Sequence, residues 1–325
     1  MLRKLLLLAI LPTLSLAQDN AARPPDLGLE ARLKPNSRVA RAGQKLSLVL
    51  TVVAKAAAKV DGTVLAGIDI ETSVDGKPGP AFREGLLSDK IQMGMGAQIE
   101  RTFEIDLGRV AGNVEIKDGR LVPVTFTWPG LPGAVATIDV APDASKIDID
   151  ALDLAQTKVM LVTNFGMMTV KFFPTKAPNH ARNFVKLAQQ GFYDGTRFHR
   201  IIKGFMIQGG CPNTKEGATS SPGSGDPGYR ISAEFNDVKH VRGVLSMARS
   251  MDPNSAGCQF FVMHGEAPPL DGKYTAFGQL ESGLETLDKI VEVPVKESQG
   301  GEISAPAQAV HLYAAIVLPV LKQTK

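Results

Sequence analysis

Through much of the first half of this chain, apolar side chains recur at every second position. Leu46, Leu48, Leu50 and Val52 make one run; Ile99, Phe103, Ile105 and Leu107 make a second, with Arg101 in phase. Val122, Val124, Phe126 and Trp128 repeat the rhythm, and Ala136, Ile138 and Val140 close it. A period of two sends successive side chains to opposite faces of an extended backbone, so these runs specify half-buried strands. Turn residues separate them at Ala42-Gly43, Asp61-Gly62, Asp75-Gly76-Lys77-Pro78-Gly79 and Lys117-Asp118-Gly119.

Short alternating strands at this spacing predict a mainly β chain whose residues 27–140 form an antiparallel β-sandwich of immunoglobulin-like kind. Ala54-Lys55-Ala56-Ala57-Ala58-Lys59 has helical composition but the length of a loop. This region holds no histidine and no cysteine, and its carboxylates are scattered. Phe82, Met93, Met95 and Trp128 are expected in its core or rim. A spacer, a docking module and a substrate-gripping extension are all open uses.

A length of 325 residues implies two domains. Arg3-Lys4, the apolar run Leu5 to Leu11 and Ser15-Leu16-Ala17 read as the three regions of a signal peptide over residues 1–17. The apolar run is too short for a membrane span, and no cysteine follows the cut to carry a lipid. The expectation is an exported protein, periplasmic or extracellular, soluble after cleavage near Gln18, with an extended leader over residues 18–26. The formal charge is +3 with the signal peptide included, and near neutrality gives no support for nucleic-acid or anionic-membrane binding.

Ala141-Pro142-Asp143-Ala144-Ser145 opens a linker over residues 141–156. A second domain is expected over 157–320. Val159 to Phe165 and Met168 to Phe173 predict a hairpin. A helix follows, with Pro178 in its first turn, Gly191 past its end, and Ala181, Phe184, Val185 and Ala188 on one buried face. Gly283 to Val291 predicts a second helix. Phe198-His199-Arg200-Ile201-Ile202-Lys203-Gly204-Phe205-Met206-Ile207-Gln208-Gly209-Gly210 reads as strand, glycine bend and strand. Alternation there puts Phe198, Arg200 and Ile202 on one face and groups Arg200, Phe205, Met206 and Gln208 around one concavity. A charged donor among apolar walls is an unusual choice for core packing alone.

Further runs complete the pattern: Gly191-Phe192-Tyr193-Asp194-Gly195, Pro227-Gly228-Tyr229 with Glu234-Phe235, Gly243 with Leu245-Ser246-Met247-Ala248, Gln259-Phe260-Phe261, and Leu270-Asp271-Gly272-Lys273. In this order and spacing, residues 157–320 resemble the cyclophilin family of peptidyl-prolyl cis/trans isomerases. The resemblance implies a closed eight-stranded antiparallel β-barrel with a helix covering each end. It also implies catalysis of X–Pro rotation in proline-containing polypeptides with no cofactor and no metal.

Residue by residue, the resemblance gives Arg200 the catalytic position and Gln208 the role of bracing it. Phe205, Met206, Phe261 and Leu270 would line the proline pocket, with Tyr274 as an aromatic wall. Ala248, Arg249 and Gln259 would meet the substrate backbone on its N-terminal side. Three positions depart from the family. Arg249 stands where asparagine is common and adds a charge near the groove, Tyr274 stands for histidine, and Pro269 stands for the tryptophan associated with cyclosporin. Weak cyclosporin binding is the expectation. Lys203 replaces a proline at a loop tip and is expected in solvent.

His199 is expected to be structural. His180, His240, His264 and His311 are too dispersed for a metal site. Ser255 to Gly257 shows no histidine–carboxylate partnership, so hydrolase chemistry is not expected. Cys211 and Cys258 adjoin the site strands; export permits a bridge, and two separate thiols are the expectation. The alternative to an enzyme is a prolyl-peptide-binding adaptor or chaperone with incidental catalysis.

Overall fold

The computed structural model describes residues 28–55, 57–60, 69–83, 91–111, 121–129, 131, 133–141 and 143–323. The expected signal peptide and leader lie outside the described residues, as do the turns at Asp61-Gly62 and Lys117-Asp118-Gly119. In the first domain, strands Leu29–Pro35, Lys45–Ala54 and Gln98–Asp106 form one antiparallel sheet. The second sheet runs Val39–Arg41, Val135–Ala141, Val122–Thr127, Asp69–Val74 and Lys77–Pro78, with Phe82–Arg83 beside Asp69–Val74. Leu46, Leu48, Leu50 and Val52 share one core with Phe126, Trp128 and Ile138 from the other sheet. Each such buried side chain contributes roughly 1.5–3 kcal/mol, so the period-two pattern suffices to hold two sheets face to face.

Two local differences from expectation appear. Val39–Arg41 pairs in parallel with Val135–Ala141, because the chain leaves the first sheet after Pro35 and joins the other. Ala58–Val60 is a strand against Ile91–Met93, so tertiary pairing overrides the helical composition of that stretch. Phe82, Met93 and Trp128 are core residues, whereas Met95 stands in solvent.

The junction is packed. Val39 and Ala141 bury against Met160, Val162 and Ile316. Arg41 reaches Asp194 and donates to the carbonyls of Ala188 (3.3 Å) and Ala315 (2.6 Å). Residues 143–156 also lie on the second domain. Ala144 and Leu152 belong to its core, and Gln189 Nε2 donates to the carbonyls of Ala144 and Ile147.

The second domain is a nine-segment antiparallel sheet. Its order is Thr196–Phe198, Val310–Leu318, Lys158–Thr163, Gly166–Phe172, Ala276–Ser282, Val244–Met247, Phe260–Met263, Met206–Gly209 and Arg200–Ile202. The two end segments are neighbours in sequence, separated by His199 alone, so the sheet closes into a barrel. Counting that interrupted strand once gives the eight expected. His199 N donates to Gln208 O (3.0 Å) at the seam.

Among the described residues, the α-helices of this second domain are Pro178–Gln189 and Leu284–Val291. The first buries Ala181, Phe184, Val185 and Ala188, the face its sequence predicts. Its N-terminus has no side-chain cap of its own. The Glu234 carboxylate takes the free amides of Asn179 (3.0 Å) and His180 (2.9 Å), placing an anion at the positive end of the helix. Phe184 anchors the core through rings of Phe172, Tyr193, Phe260 and Phe277.

Candidate functional site

Arg200–Ile202, Met206–Gly209 and Phe260–Met263 lie side by side, and their register sets the site. Arg200 faces Gln208, Ile202 faces Met206, and Gln208 faces Phe261. The bend between the first two strands closes with Phe205 N donating to Ile202 O (3.0 Å), with Gly204 in the left-handed region. After the second strand, Gly210 has φ +82°, and a Cβ there would stand 2.6 Å from Cys258 O. Only glycine fits.

Arg200 sits where its strand predicts. Its Cζ lies 5.9 Å from the centre of the Phe205 ring, and Nη1 lies 3.9 Å from Met206 Sδ and 3.5 Å from Gln208 Oε1. The other edge of the guanidinium meets Glu302, with Nε to Oε2 at 2.7 Å and Nη2 to Oε1 at 2.8 Å. The hydrogen bond from Arg200 is the leading cause that holds the Glu302 carboxyl down to about 2, and one from Ser304 adds to it.

Donation then runs one way along the site. Arg200 donates to Gln208, Gln208 Nε2 to Gln259 Oε1 (3.1 Å), and Gln259 Nε2 to the carbonyls of Gly223 (2.7 Å) and Gly225 (2.9 Å). Carbonyls cannot donate, so the far end fixes the orientation of both amides.

Beside this polar chain lies an apolar cluster. Met206 and Phe261 are buried in it, and Ile202, Phe205, Ala248, Leu270 and Tyr274 pack on it half-exposed. The side chains expected to line the proline pocket (Phe205, Met206, Phe261, Leu270 and Tyr274) share this one cluster. Tyr274 meets Phe261 edge-on at 5.9 Å, forming one wall. On the other side of Arg200 and Gln208 is a groove of about 900 Å³, walled by Gly223, Lys296, Ser298 and Gly300.

Several expectations need correction. Phe198 does not share a face with Arg200. The strand breaks at His199, Phe198 pairs with Val310, and its ring turns into the barrel core. Arg249 does not offer a free charge to the groove. Its Nη1 donates to the carbonyls of Ser250 (2.8 Å) and Met251 (3.3 Å), and its Nη2 to Lys273 O (2.9 Å). The guanidinium lies over Tyr274 at 4.4 Å and near Phe235 at 5.9 Å. It clasps two loops and backs the aromatic wall. Lys203 is exposed and pairs with Glu292.

Histidine–carboxylate pairs do exist. His180 Nδ1 lies 2.7 Å from Glu234, and His240 Nδ1 lies 3.1 Å from Asp271. His240 Nε2 is 2.9 Å from Ser246 Oγ, which gives the spacing of a hydrolytic triad. Ser246 is fully buried and also bonded to Thr275 O (3.0 Å), so no acyl substrate reaches it. The set is structural. Cys211 and Cys258 are free, buried thiols. Among the described residues, no group of three or more His, Cys, Asp or Glu is arranged to hold a metal ion.

Sequence reasoning misses Glu302. It follows Gly300-Gly301, stands 102 residues from Arg200 and belongs to no periodic pattern, so no local signal points to it.

Residues 158–313 match the family model described as cyclophilin type peptidyl-prolyl cis-trans isomerase/CLD. The chain is 50% identical over 147 residues to a peptidyl-prolyl cis-trans isomerase of Synechococcus elongatus, covering 43% of this chain and 96% of that one. A Helicobacter pylori peptidyl-prolyl cis-trans isomerase is 42% identical over 156 residues, with 46% and 91% covered. A cyclophilin-type isomerase of Cryptosporidium parvum, solved in the presence of the dipeptide Ala-Pro, aligns at 31% identity and TM-score 0.43 over 51% of this chain and 99% of that one. Arg200 and Glu302 both fall within the residues matched by the family model.

Proposed function

The chain belongs to the cyclophilin-type peptidyl-prolyl cis-trans isomerase family, and we propose that it rotates X–Pro bonds of polypeptides outside the cytoplasm, with Arg200 as the catalytic donor. An X–Pro amide resists rotation through C–N conjugation, with a barrier of ~18–20 kcal/mol and unassisted relaxation over ~10–100 s. No covalent bond to the protein and no proton transfer are required. The chain has to hold the proline ring and stabilise the twisted amide.

The carrying observation is Arg200 at the border of the apolar cluster, its Nη1 edge toward Gln208 and Met206 and its face over Phe205. The proline ring packs among Phe205, Met206, Phe261, Leu270 and Tyr274. Arg200 donates to the prolyl carbonyl and favours a pyramidal nitrogen that has lost conjugation. Away from bulk water such a donor acts more strongly than in solution. Ala248 and Gln259 meet the backbone before the proline, and Arg249 keeps that wall in shape. The groove beyond Arg200 has room for the chain after it. Pro269 in place of a tryptophan supports weak cyclosporin binding.

A protease-coupled assay on a proline tetrapeptide tests the reading. Arg200→Ala is expected to lower kcat/KM by roughly 10²–10³-fold with the fold intact. A variant with wild-type turnover overturns the role of Arg200. The three-part N-terminal pattern supports export. N-terminal sequencing of protein recovered from outside the cytoplasm is expected to begin near Gln18, and a retained Met1 contradicts it.

A further inference from the structure

We infer that Glu302 is the positioning residue of the catalytic arginine. The inference rests on the reading of Arg200 as the donor to the prolyl amide. An arginine side chain is long and flexible, and a useful donor must hold one plane. Gln208 alone holds it weakly, because 3.5 Å is the outer limit of a hydrogen bond. Glu302 supplies the missing constraint. Its two oxygens take Nε and Nη2 at 2.7 and 2.8 Å, the paired geometry that fixes a guanidinium in plane as well as in place.

The backbone that carries Glu302 is itself held by its turn. Glu302 stands at the turn end of the hairpin formed by Val295–Glu297 and Ile303–Pro306. Ser298 N donates to Glu302 O (2.8 Å) and Gly301 N to Ser298 O (3.0 Å), closing the turn in front of it. With Nε and Nη2 engaged, Nη1 is the edge turned toward Met206, Gln208 and the apolar cluster. The substrate carbonyl would arrive there. An anion on the same cation also draws on its field, so the pair gives up some charge for orientation. A displacement of about 1 Å at a reacting group can cost two orders of magnitude in rate, and orientation is therefore the larger effect.

The test compares wild type with Glu302→Ala, Glu302→Gln, Arg200→Ala and the Arg200→Ala/Glu302→Ala double variant. kcat and KM are measured on a proline tetrapeptide, with the ¹⁵N–¹H resonance of Arg200 Nε followed alongside. Glu302→Ala is expected to lower kcat/KM roughly tenfold, chiefly through kcat, and to move the Nε resonance. Glu302→Gln should fall between Glu302→Ala and wild type. In the Arg200→Ala background, removing Glu302 should cost nothing further. An unmoved Nε resonance with wild-type turnover overturns the inference. So does an equal loss with and without Arg200, which would assign Glu302 an independent role. Wild-type turnover in Arg200→Ala alone removes the premise, and it is told apart from the other failures because the Arg200 Nε resonance, compared between wild type and Glu302→Ala, still reports the pairing.

Discussion

Arg41 of the sandwich and Asp194 of the barrel form a bidentate ion pair across the junction, with Nη1 to Oδ2 at 2.6 Å and Nη2 to Oδ1 at 3.2 Å. Asp194 Oδ1 also accepts from Ala315 N (3.1 Å), and Arg41 donates to two barrel carbonyls. The Arg41 side chain is only 9% exposed, so its charge and its partners are largely out of water. Removing one member leaves polar groups buried without partners, which costs more than the bond itself contributes.

Arg41→Ala should therefore lower the unfolding free energy by about 2 kcal/mol, less than a fully buried pair because Asp194 is partly in solvent. Chemical denaturation measures it. Turnover of a short proline peptide should hold near wild type, since Arg41 makes no contact with Arg200 or its neighbours. An unchanged denaturation midpoint would mean that the junction depends on its apolar contacts alone.

Arg249→Ala should raise KM several-fold with a smaller effect on kcat. The guanidinium stacks on Tyr274 and ties Ser250, Met251 and Lys273, and a part-exposed cation–π contact of this kind is worth about 1 kcal/mol. Arg249→Lys should not rescue it, because a point charge cannot reproduce a planar fork. Recovery in the lysine variant would show that charge, and not the clasp, matters.

Burial brings His199 down to about 4; a backbone hydrogen bond with Arg197 opposes this and the charge of Arg200 adds to it. Burial is also the leading cause that lowers His180 and His240. The unfolded chain takes up these protons near pH 6.5, ahead of the folded one. Stability is thus fully present above pH 6.5 and drains as the pH falls toward 4, by up to about 3 kcal/mol for His199. Thermal midpoints across this window should fall with acidification. His199→Gln should flatten the slope, and an unchanged slope would remove His199 from the account.

Burial, followed by proximity to Cys211, pushes the Cys258 thiol up to about 12. Both cysteines should resist a thiol reagent near pH 8 in the native protein, and both should react once it is denatured without reductant. A denatured chain with no reactive thiol would mean that the two cysteines form a bridge.

Much of the fold and site is legible locally. Arg200, Phe205, Met206 and Gln208 lie within one strand–bend–strand unit; its two-residue period brings Arg200, Met206 and Gln208 together, and the bend adds Phe205. The helix face of Ala181, Phe184, Val185 and Ala188 is readable for the same reason at a period of 3.6. Phe198 misleads because the alternation runs through a break at His199 that appears only when the barrel closes. Arg249 misleads because composition shows a charge but not the carbonyls that occupy it.

The sequence by itself determined which faces are apolar, where strands turn and which short unit carries the arginine, because side-chain period and glycine chemistry act over a few residues. Tertiary structure alone decided the long-range pairings: Glu302 on Arg200, Arg41 on Asp194, His240 on Asp271 and Glu234 on the amides of Asn179 and His180. A charged or polar side chain has no period of its own. Its partner is set by which strands, loops and helix ends meet when the barrel closes.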